Sequence, residues 1–446
     1  MPDRAAPDAK LVAREIFART LEAVDPSAAI ERALSRAALT LCCAGRSYDL
    51  RAFPDLRVLA VGKAAHAMLD GLLAILPVGT RLRGLVSAPT PPAQARPQFQ
   101  YFVSGHPEPN RESLLAGEAA LELVRGASSE TLVIVLLSGG GSALMEFPLL
   151  ATLSLPEIQE LNRALVTSAA GIHEINTVRK HLSAIKGGRL AEAADPAAVL
   201  TLAVSDVPAG RESALASGPT VADPTTCGDV MRIIAAHHLA TRLPPAILAW
   251  VESGQMPETP KPRDCRSGRV QFELLLGMHE LFHAAHRLAE AAGFLAFCDN
   301  TTDDWLVRKA ADFLLAQLRE LRAANPDHAV ALIADGELSS AVTGSGLGGR
   351  NAAFVLACVE PIARESIVVL SAGTDGIDGN SPAAGAVADG HSLARARQAG
   401  LDPEHFFRES DSFRFFDALG DAILTGPTGN NLRDLRLLLA FPEKQP

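Results

Sequence analysis

Leu132-Val133-Ile134-Val135-Leu136-Leu137 is the most apolar run in the chain, and Ser138-Gly139-Gly140-Gly141-Ser142 follows it without a spacer. A short, unbroken apolar run reads as a strand buried on both faces, the kind that parallel sheets covered by helices require. A triple glycine at its C-terminal end lets the backbone approach a ligand closely, and the flanking hydroxyls add donors. Working outward, residues 58–61 form a second such strand, running into Gly62-Lys63-Ala64-Ala65 and an amphipathic helix to about Leu76. Residues 200–204 form a third, ending in Ser205-Asp206-Val207-Pro208, and helical patterns fill 155–170 and 174–194. This alternation predicts an α/β protein.

Pro257, Pro260, Pro262 and Gly268 then break the periodicity, which places a linker there. Beyond it the pattern predicts strands at 270–276, 294–297, 329–333, 367–370, 422–424 and 435–439, with helices at 278–292 and up to Leu321. The expected architecture is two α/β domains. The first, residues 1–255, is a doubly wound Rossmann-like parallel sheet, and the second, residues 268–446, is a smaller mixed α/β domain.

Bulk composition narrows the function classes. Of 446 residues, 48% are apolar and 21% charged, ample for packed cores. Lys and Arg total 41 against 51 Asp and Glu, a net charge of −10, and aromatics are only 5%. A nucleic-acid partner needs a basic face or stacking platforms, so none is expected. Cys42, Cys43, Cys227, Cys265, Cys298 and Cys358 form no CxxC pair and read as reduced thiols. No apolar stretch approaches a membrane span or a signal peptide, so a cytoplasmic protein without a membrane partner is expected. A homodimer is compatible with this reading.

Ligands of open α/β sheets bind outside the C-terminal strand ends, which makes the post-strand loops the candidates. Lys63 ends an apolar strand, where its ammonium could neutralise a phosphate. Arg350, in Gly348-Gly349-Arg350-Asn351, opens an apolar helix and would reinforce its positive pole. Asp375 and Asp378 put two carboxylates in a glycine-rich turn of the kind that holds Mg²⁺. Thr425-Gly426-Pro427-Thr428-Gly429-Asn430-Asn431 is another polar loop after a strand. Two matches point elsewhere. Residues 344–349 fit GxGxxG, but the preceding segment is too polar for the buried strand a dinucleotide site requires. His279-Glu280-Leu281-Phe282-His283 fits HExxH without a clear third ligand. There is no GxxxxGK[ST], which excludes a P-loop NTPase.

Read together, Gly62-Lys63-Ala64-Ala65, Ser104-Gly105-His106-Pro107, residues 138–144, Asn176-Thr177-Val178-Arg179-Lys180-His181-Leu182-Ser183, Lys186-Gly187-Gly188-Arg189, Ser205-Asp206-Val207-Pro208, Ser217-Gly218-Pro219-Thr220, Gly348-Gly349-Arg350-Asn351 and residues 373–379 match one family in order. The chain resembles the glycerate 2-kinases of the two-domain type, whose C-terminal part is called the MOFRL domain and some of which are labelled hydroxypyruvate reductases. The resemblance implies ATP and Mg²⁺ as cofactors and a small hydroxy-acid as acceptor. It implies phosphorylation of the 2-hydroxyl of glycerate, with Lys63 and Arg350 as the catalytic pair in a cleft between domains. Ser138, Gly139, Gly140, Gly141, Ser142, Lys186, Asn351, Thr425 and Asn430 are the expected substrate- or nucleotide-binding positions, and Asp375, Asp378 and Asp206 the metal ligands. Arg179 is a further candidate for the substrate carboxylate. The alternatives are an NAD(P)H-dependent hydroxypyruvate reductase and a kinase for a related hydroxy-acid. The chain departs from the family where Ala209-Gly210-Arg211-Glu212 replaces Gly-Asp-Asp, and where Asp335-Gly336-Glu337 replaces Gly-Gly-Glu.

Overall fold

The computed structural model describes residues 9–205, 207, 212–262, 268–430 and 432–442. It divides into two compact units, Pro26–Gly277 and Met278–Pro446 with the N-terminal Met1–Asp25.

The first unit opens with a small antiparallel sheet, β1 (Leu34–Ala37), β2 (Thr40–Cys43) and β3 (Arg46–Asp49). Its main sheet comprises β4 (Asp55–Val61), β5 (Leu82–Ala88), β6 (Phe99–Val103), β7 (Thr131–Leu137), β8 (Ala198–Val204) and β9 (Val270–Leu276). All six strands are parallel, in the order β6-β5-β4-β7-β8-β9. Counted from β4 this is 3-2-1-4-5-6, the doubly wound Rossmann order, whose direction reverses between β4 and β7. Every residue of β7 is buried, as its unbroken apolar sequence demands. Leu59, Val61, Val133, Val135, Leu137 and Val199 pack on one face against Ala116, Ala120 and Leu121 of the helix Arg111–Val124. A separate helical core joins Leu155–Val166, Ile172–Leu182, Cys227–Ala236 and Pro245–Glu252.

The second unit holds β10 (Leu295–Asp299), β11 (Val330–Asp335), β12 (Ile367–Gly373), β13 (Gly385–Asp389), β14 (Ala422–Ile423) and β15 (Asp434–Ala440), in the order β10-β11-β15-β12-β13-β14. Only β10 and β11 pair in parallel; the other pairings are antiparallel, so the sheet is mixed. Helices Val307–Ala324 and Arg350–Val359 bury Leu314, Leu318, Phe354 and Val355 in its core.

The unit boundary differs from the expected linker in two ways. The strand β9 lies parallel to β8 as the edge of the first sheet, so the proline-rich segment before it connects strands of one sheet. The helix Ala9–Ala23 docks on β12, β13 and β15 of the second unit, where Lys10 pairs with Asp421 at 2.7 Å. The helix expected over 174–194 is also divided. It ends at Leu182 and resumes at Arg189, with Gly187 (φ 58°) and Gly188 (φ 87°) turning the chain between.

Candidate active site

In the first unit two loops meet where the sheet reverses direction. Ser138 N–H donates to the Val61 carbonyl at 2.9 Å, Lys63 N–H to the Gly139 carbonyl at 3.0 Å, and Ala64 N–H to Ser138 Oγ at 3.0 Å. Gly62 is obligatory here, since a Cβ on it would lie 2.1 Å from Ser138 Oγ at a φ of 123°. Lys63 is half-buried beside the triple glycine. The N–H groups of Gly139 and Gly140 have no acceptor among the described residues.

Behind this loop lies a polar relay that the sequence did not reveal. Ser217 Oγ donates to Asn176 Oδ1 at 3.0 Å, which leaves Ser142 Oγ as the donor to Ser217 Oγ at 2.8 Å. Ala216 (φ 47°) and Ser217 (φ 58°) are buried in the left-handed region, a strained geometry for residues with a Cβ and one that gathers at functional sites. The backbone of Gly187, Gly188 and Leu190 donates to Ser217, Gly218 and Pro219. Two motifs far apart in sequence are thus one structure.

Lys186 sits beneath the loop and not in it. Its ammonium pairs with Glu146 and donates to the Ser142 carbonyl at 2.9 Å, and its side chain is 2% exposed. Burial pushes its pKa down against the pull of Glu146. Glu146 also accepts from Ser183 Oγ at 2.6 Å and Phe147 N–H at 2.8 Å. Lys186 therefore supports Ser142, where direct contact with a ligand was expected.

Arg179, on the helix Ile172–Leu182, is presented differently. Its Nε donates to Asn162 Oδ1 at 2.9 Å, while its terminal nitrogens have no partner among the described residues. Burial lowers its pKa, against the pull of Glu146. Asn176 precedes it by one helical turn, so the guanidinium and the Ser142 relay share one helix.

In the second unit the C-terminal ends of β11 and β12 and the start of β15 lie together because β15 runs antiparallel to both. Arg350, at the start of the helix Arg350–Val359, reaches their loops: Nε donates to Asp434 Oδ2 at 2.5 Å and the terminal nitrogens meet Glu337 at 2.8 and 3.0 Å. Burial would lower the pKa of Arg350, but Asp434 and then Glu337 outweigh it and hold it above its ordinary value. About a third of the side chain stays exposed.

The two carboxylates of the glycine-rich turn have different surroundings. Asp378 is buried, and its oxygens accept from the N–H groups of Asn351 at 3.0 Å and Ala352 at 2.8 Å, capping the helix that carries Arg350. Gly349 makes room for it, since a Cβ there would lie 2.2 Å from Asp378 Oδ1. Asn351 is buried too, its carbonyl oxygen accepting from Ser371 Oγ at 2.6 Å. These partners make Asp378 and Asn351 supports of the helix start. Asp375 is half-buried on the same loop and accepts from Ile377 N–H at 3.1 Å. Thr425 is exposed beside it, the Gly426 carbonyl lying 2.0 Å from where a Gly376 Cβ would stand. Asn430 is buried and donates to the Val24 carbonyl at 2.8 Å, which ties down the end of the N-terminal helix. Asp206 lies outside the described residues.

Burial raises the pKa of Asp378 to about 7, against two backbone N–H donors. Its folded-state pKa lies above the unfolded carboxylate value of about 4, so the folded chain binds this proton more tightly. The associated stability is full below about pH 4 and is lost as pH rises through about 7. Asp378→Asn should therefore flatten the decline in melting midpoint across that window, as thermal unfolding at a series of pH values would read.

The two competing motifs resolve on geometry. Gly344 and Gly346 press against the Glu409 backbone, Gly346 N–H donates to its carbonyl at 3.0 Å, and Leu347 and Gly348 N–H donate to Asp411 and Asn380 at 2.8 Å. The strand before them, β11, ends at Asp335 and does not run into the glycines, so the GxGxxG match is a packing loop. His279, Glu280 and His283 are exposed on the helix Met278–Ala291, and the described residues bring no third ligand to them.

Residues 12–252 match the domain of unknown function DUF4147, and residues 330–434 the MOFRL family. The chain is 34% identical over 431 residues to a D-glycerate 2-kinase of Thermotoga maritima, covering 96% of this chain and 97% of that one. It is 36% identical over 443 residues to a protein of Agrobacterium vitis labelled, provisionally, a hydroxypyruvate reductase, covering 97% and 94%. The crystal structure of a glycerate kinase from Thermotoga maritima superposes with a TM-score of 0.82 at 32% identity, over 98% of this chain and 100% of that one. The chain belongs to the two-domain glycerate kinase family, which joins a DUF4147 domain to a MOFRL domain.

Proposed function

We propose that this protein is an ATP-dependent kinase that transfers the γ-phosphoryl group of ATP to the 2-hydroxyl of glycerate, giving 2-phosphoglycerate and ADP. The observation that carries the reading is the pair of interlocked loops, residues 62–65 and 138–142, at the reversal point of a doubly wound sheet. The N–H groups of Gly139 and Gly140, without an acceptor among the described residues, are the donors for an anion, with Lys63 alongside. The names of the Thermotoga maritima relatives support the same reading.

In the reaction the substrate's 2-hydroxyl oxygen forms a bond to the γ-phosphorus as the β–γ bridging bond breaks. ADP leaves with the bond's electrons, and the hydroxyl proton passes to solvent. Such transition states are loose, so positioning and charge stabilisation dominate. Lys63 of the first unit and Arg350 of the second are the cations assigned to the developing charge on the transferring group. Asp434 and Glu337 orient the Arg350 fork. Magnesium would screen the β- and γ-phosphate charge, and Asp375 is the carboxylate of the glycine-rich turn with the chemistry and exposure to hold it. A cytoplasmic setting, with its supply of ATP, suits this chemistry.

The terminal nitrogens of Arg179 take the substrate carboxylate in a bidentate pair. Arg179→Gln should raise KM for glycerate about 10- to 100-fold, with a far smaller change in kcat or in KM for ATP. Equal KM values for the two proteins would remove Arg179 from substrate binding.

The overall reading is tested by ADP release with Mg-ATP and a panel of small hydroxy-acids, run beside NADH consumption with hydroxypyruvate. Glycerate-dependent ADP release with no NADH turnover is expected. A preference for another hydroxy-acid would reassign the acceptor, and NADH turnover alone would overturn the kinase.

A further inference from the structure

The helix that carries Asn176 and Arg179 also carries His181, whose imidazole is fully buried and has a different environment. Its Nδ1 lies 2.9 Å from the Thr177 carbonyl, which can only accept, so the proton is on Nδ1. The other nitrogen, Nε2, then carries a lone pair. It is buried without a hydrogen-bond partner and points at the Glu258 carboxylate, 3.5 Å away. A lone pair and a carboxylate oxygen facing each other are two acceptors with nothing to share. A buried acceptor left as His181 Nε2 is left is costly, and a cation between it and Glu258 removes the conflict.

Cys227 completes the set. His181 Nε2, Cys227 Sγ and a Glu258 oxygen all lie within 4.8 Å of one another. Nitrogen, sulfur and carboxylate donors together select a borderline divalent ion such as zinc. Ligand atoms around a tetrahedral zinc stand roughly 3.3–3.8 Å apart, given bonds of about 2.0–2.3 Å. The His181–Glu258 pair already has that spacing, while Cys227 Sγ, which donates to the Met256 carbonyl at 3.3 Å, would exchange that partner for the ion. The Thr177 carbonyl on Nδ1 is the outer partner that fixes a metal-binding histidine in the needed tautomer. Glu258 is about half exposed, which gives the ion a route from solvent and a fourth position for water.

Charged neighbours bear on the site. Lys261 lies 2.8 Å from the same Glu258 oxygen, and it keeps the Thr225 carbonyl and Thr259 Oγ1 as partners if an ion displaces it. Asp223 faces His181 Nδ1 at 3.8 Å and is itself paired with Lys180. Arg189 donates to the Pro257 carbonyl nearby.

We propose that His181, Cys227 and Glu258 form a binding site for a divalent ion of zinc's class. The ion would fasten the helix Ile172–Leu182 to the start of the helix Cys227–Ala236 and to the 256–262 segment. None of the three residues belongs to the loops assigned to phosphoryl transfer, and the proposal does not depend on that assignment.

Cobalt(II) titration of the full chain, stripped of metal and kept reduced, tests it. One equivalent should bind with a near-ultraviolet thiolate-to-cobalt charge-transfer band and visible bands of tetrahedral intensity. Zinc should displace it and raise the melting temperature. Cys227→Ser should abolish the charge-transfer band while melting normally without metal, and Glu258→Gln should weaken binding at least about tenfold. Cobalt bound without that band, or a band that survives Cys227→Ser, would overturn the assignment. So would the absence of binding.

Discussion

Arg350→Ala and Lys63→Ala each lower kcat by at least about 100-fold, the usual effect of removing one preorganised charge from a transition state. The expectation rests on different environments for the two cations. Arg350 is held by Asp434 and Glu337 through all three guanidinium nitrogens, so its position is set before any substrate arrives. Such preorganisation has no reorganisation penalty at the moment of reaction. Arg350→Lys should rescue little, because an ammonium cannot serve both carboxylates and the phosphoryl group with one planar fork. Arg350→Ala also leaves the nearly buried Asp434 without its partner. The variant's melting temperature must therefore be read beside kcat. Lys63→Ala removes an ammonium but leaves the Lys63 N–H bond to Gly139, so the loops keep their pairing. Steady-state kinetics on both variants checks the pair. A near-normal kcat in either one removes that residue from the mechanism.

The second large effect is on stability. Lys186→Met leaves the Glu146 carboxylate, 10% exposed, without its counter-ion in the core of the first unit. Removing one partner of a buried pair typically destabilises by about 3–5 kcal/mol, because the remaining charge keeps its desolvation penalty without its counter-ion. Replacing both residues is far milder, so Lys186→Met combined with Glu146→Gln should recover most of the loss. Urea unfolding of the two single variants and the double variant measures the coupling directly. Activity should follow a different pattern. The Ser142 carbonyl loses its Lys186 contact in the double variant as well, so the loop stays unsupported and turnover stays low even where stability returns. A single variant as stable as the parent would show that Lys186 is not the buried counter-ion described above.

The sheet core was legible because residues 58–61 of β4, 132–137 of β7 and, but for Thr201, all of β8 are apolar, and a strand buried on both faces needs that pattern. The strands β5 and β6 were not. The first carries Arg83 and Gly84 in mid-strand, and Gly84 is required because a Cβ there would lie 2.1 Å from the Val58 carbonyl oxygen. The second is a half-exposed edge strand with mixed residues. The strand β13 is built from Gly385, Ala386 and Ala388 around one valine, which gives no β signal of its own.

At the site, the post-strand rule located Lys63 and the triple glycine correctly as neighbours, because adjacent parallel strands end side by side. The rule could not separate ligand contacts from supports. Lys186, Asp378, Asn351 and Asn430 all sit in conspicuous polar motifs, yet each is buried and engaged by protein partners. Asn176, Ser217 and Glu146 were missed for the converse reason. Their roles come from contacts across 41 and 40 residues of sequence, which no local pattern encodes.

Phosphorus NMR of the products formed from Mg-ATP and D-glycerate tests the central claim most directly, since it reports turnover and regiochemistry in one spectrum. The account predicts ADP together with 2-phosphoglycerate, in equal amounts. A 3-phosphoglycerate signal would contradict the assigned hydroxyl, and an ATP spectrum unchanged by active, folded protein would contradict the kinase itself.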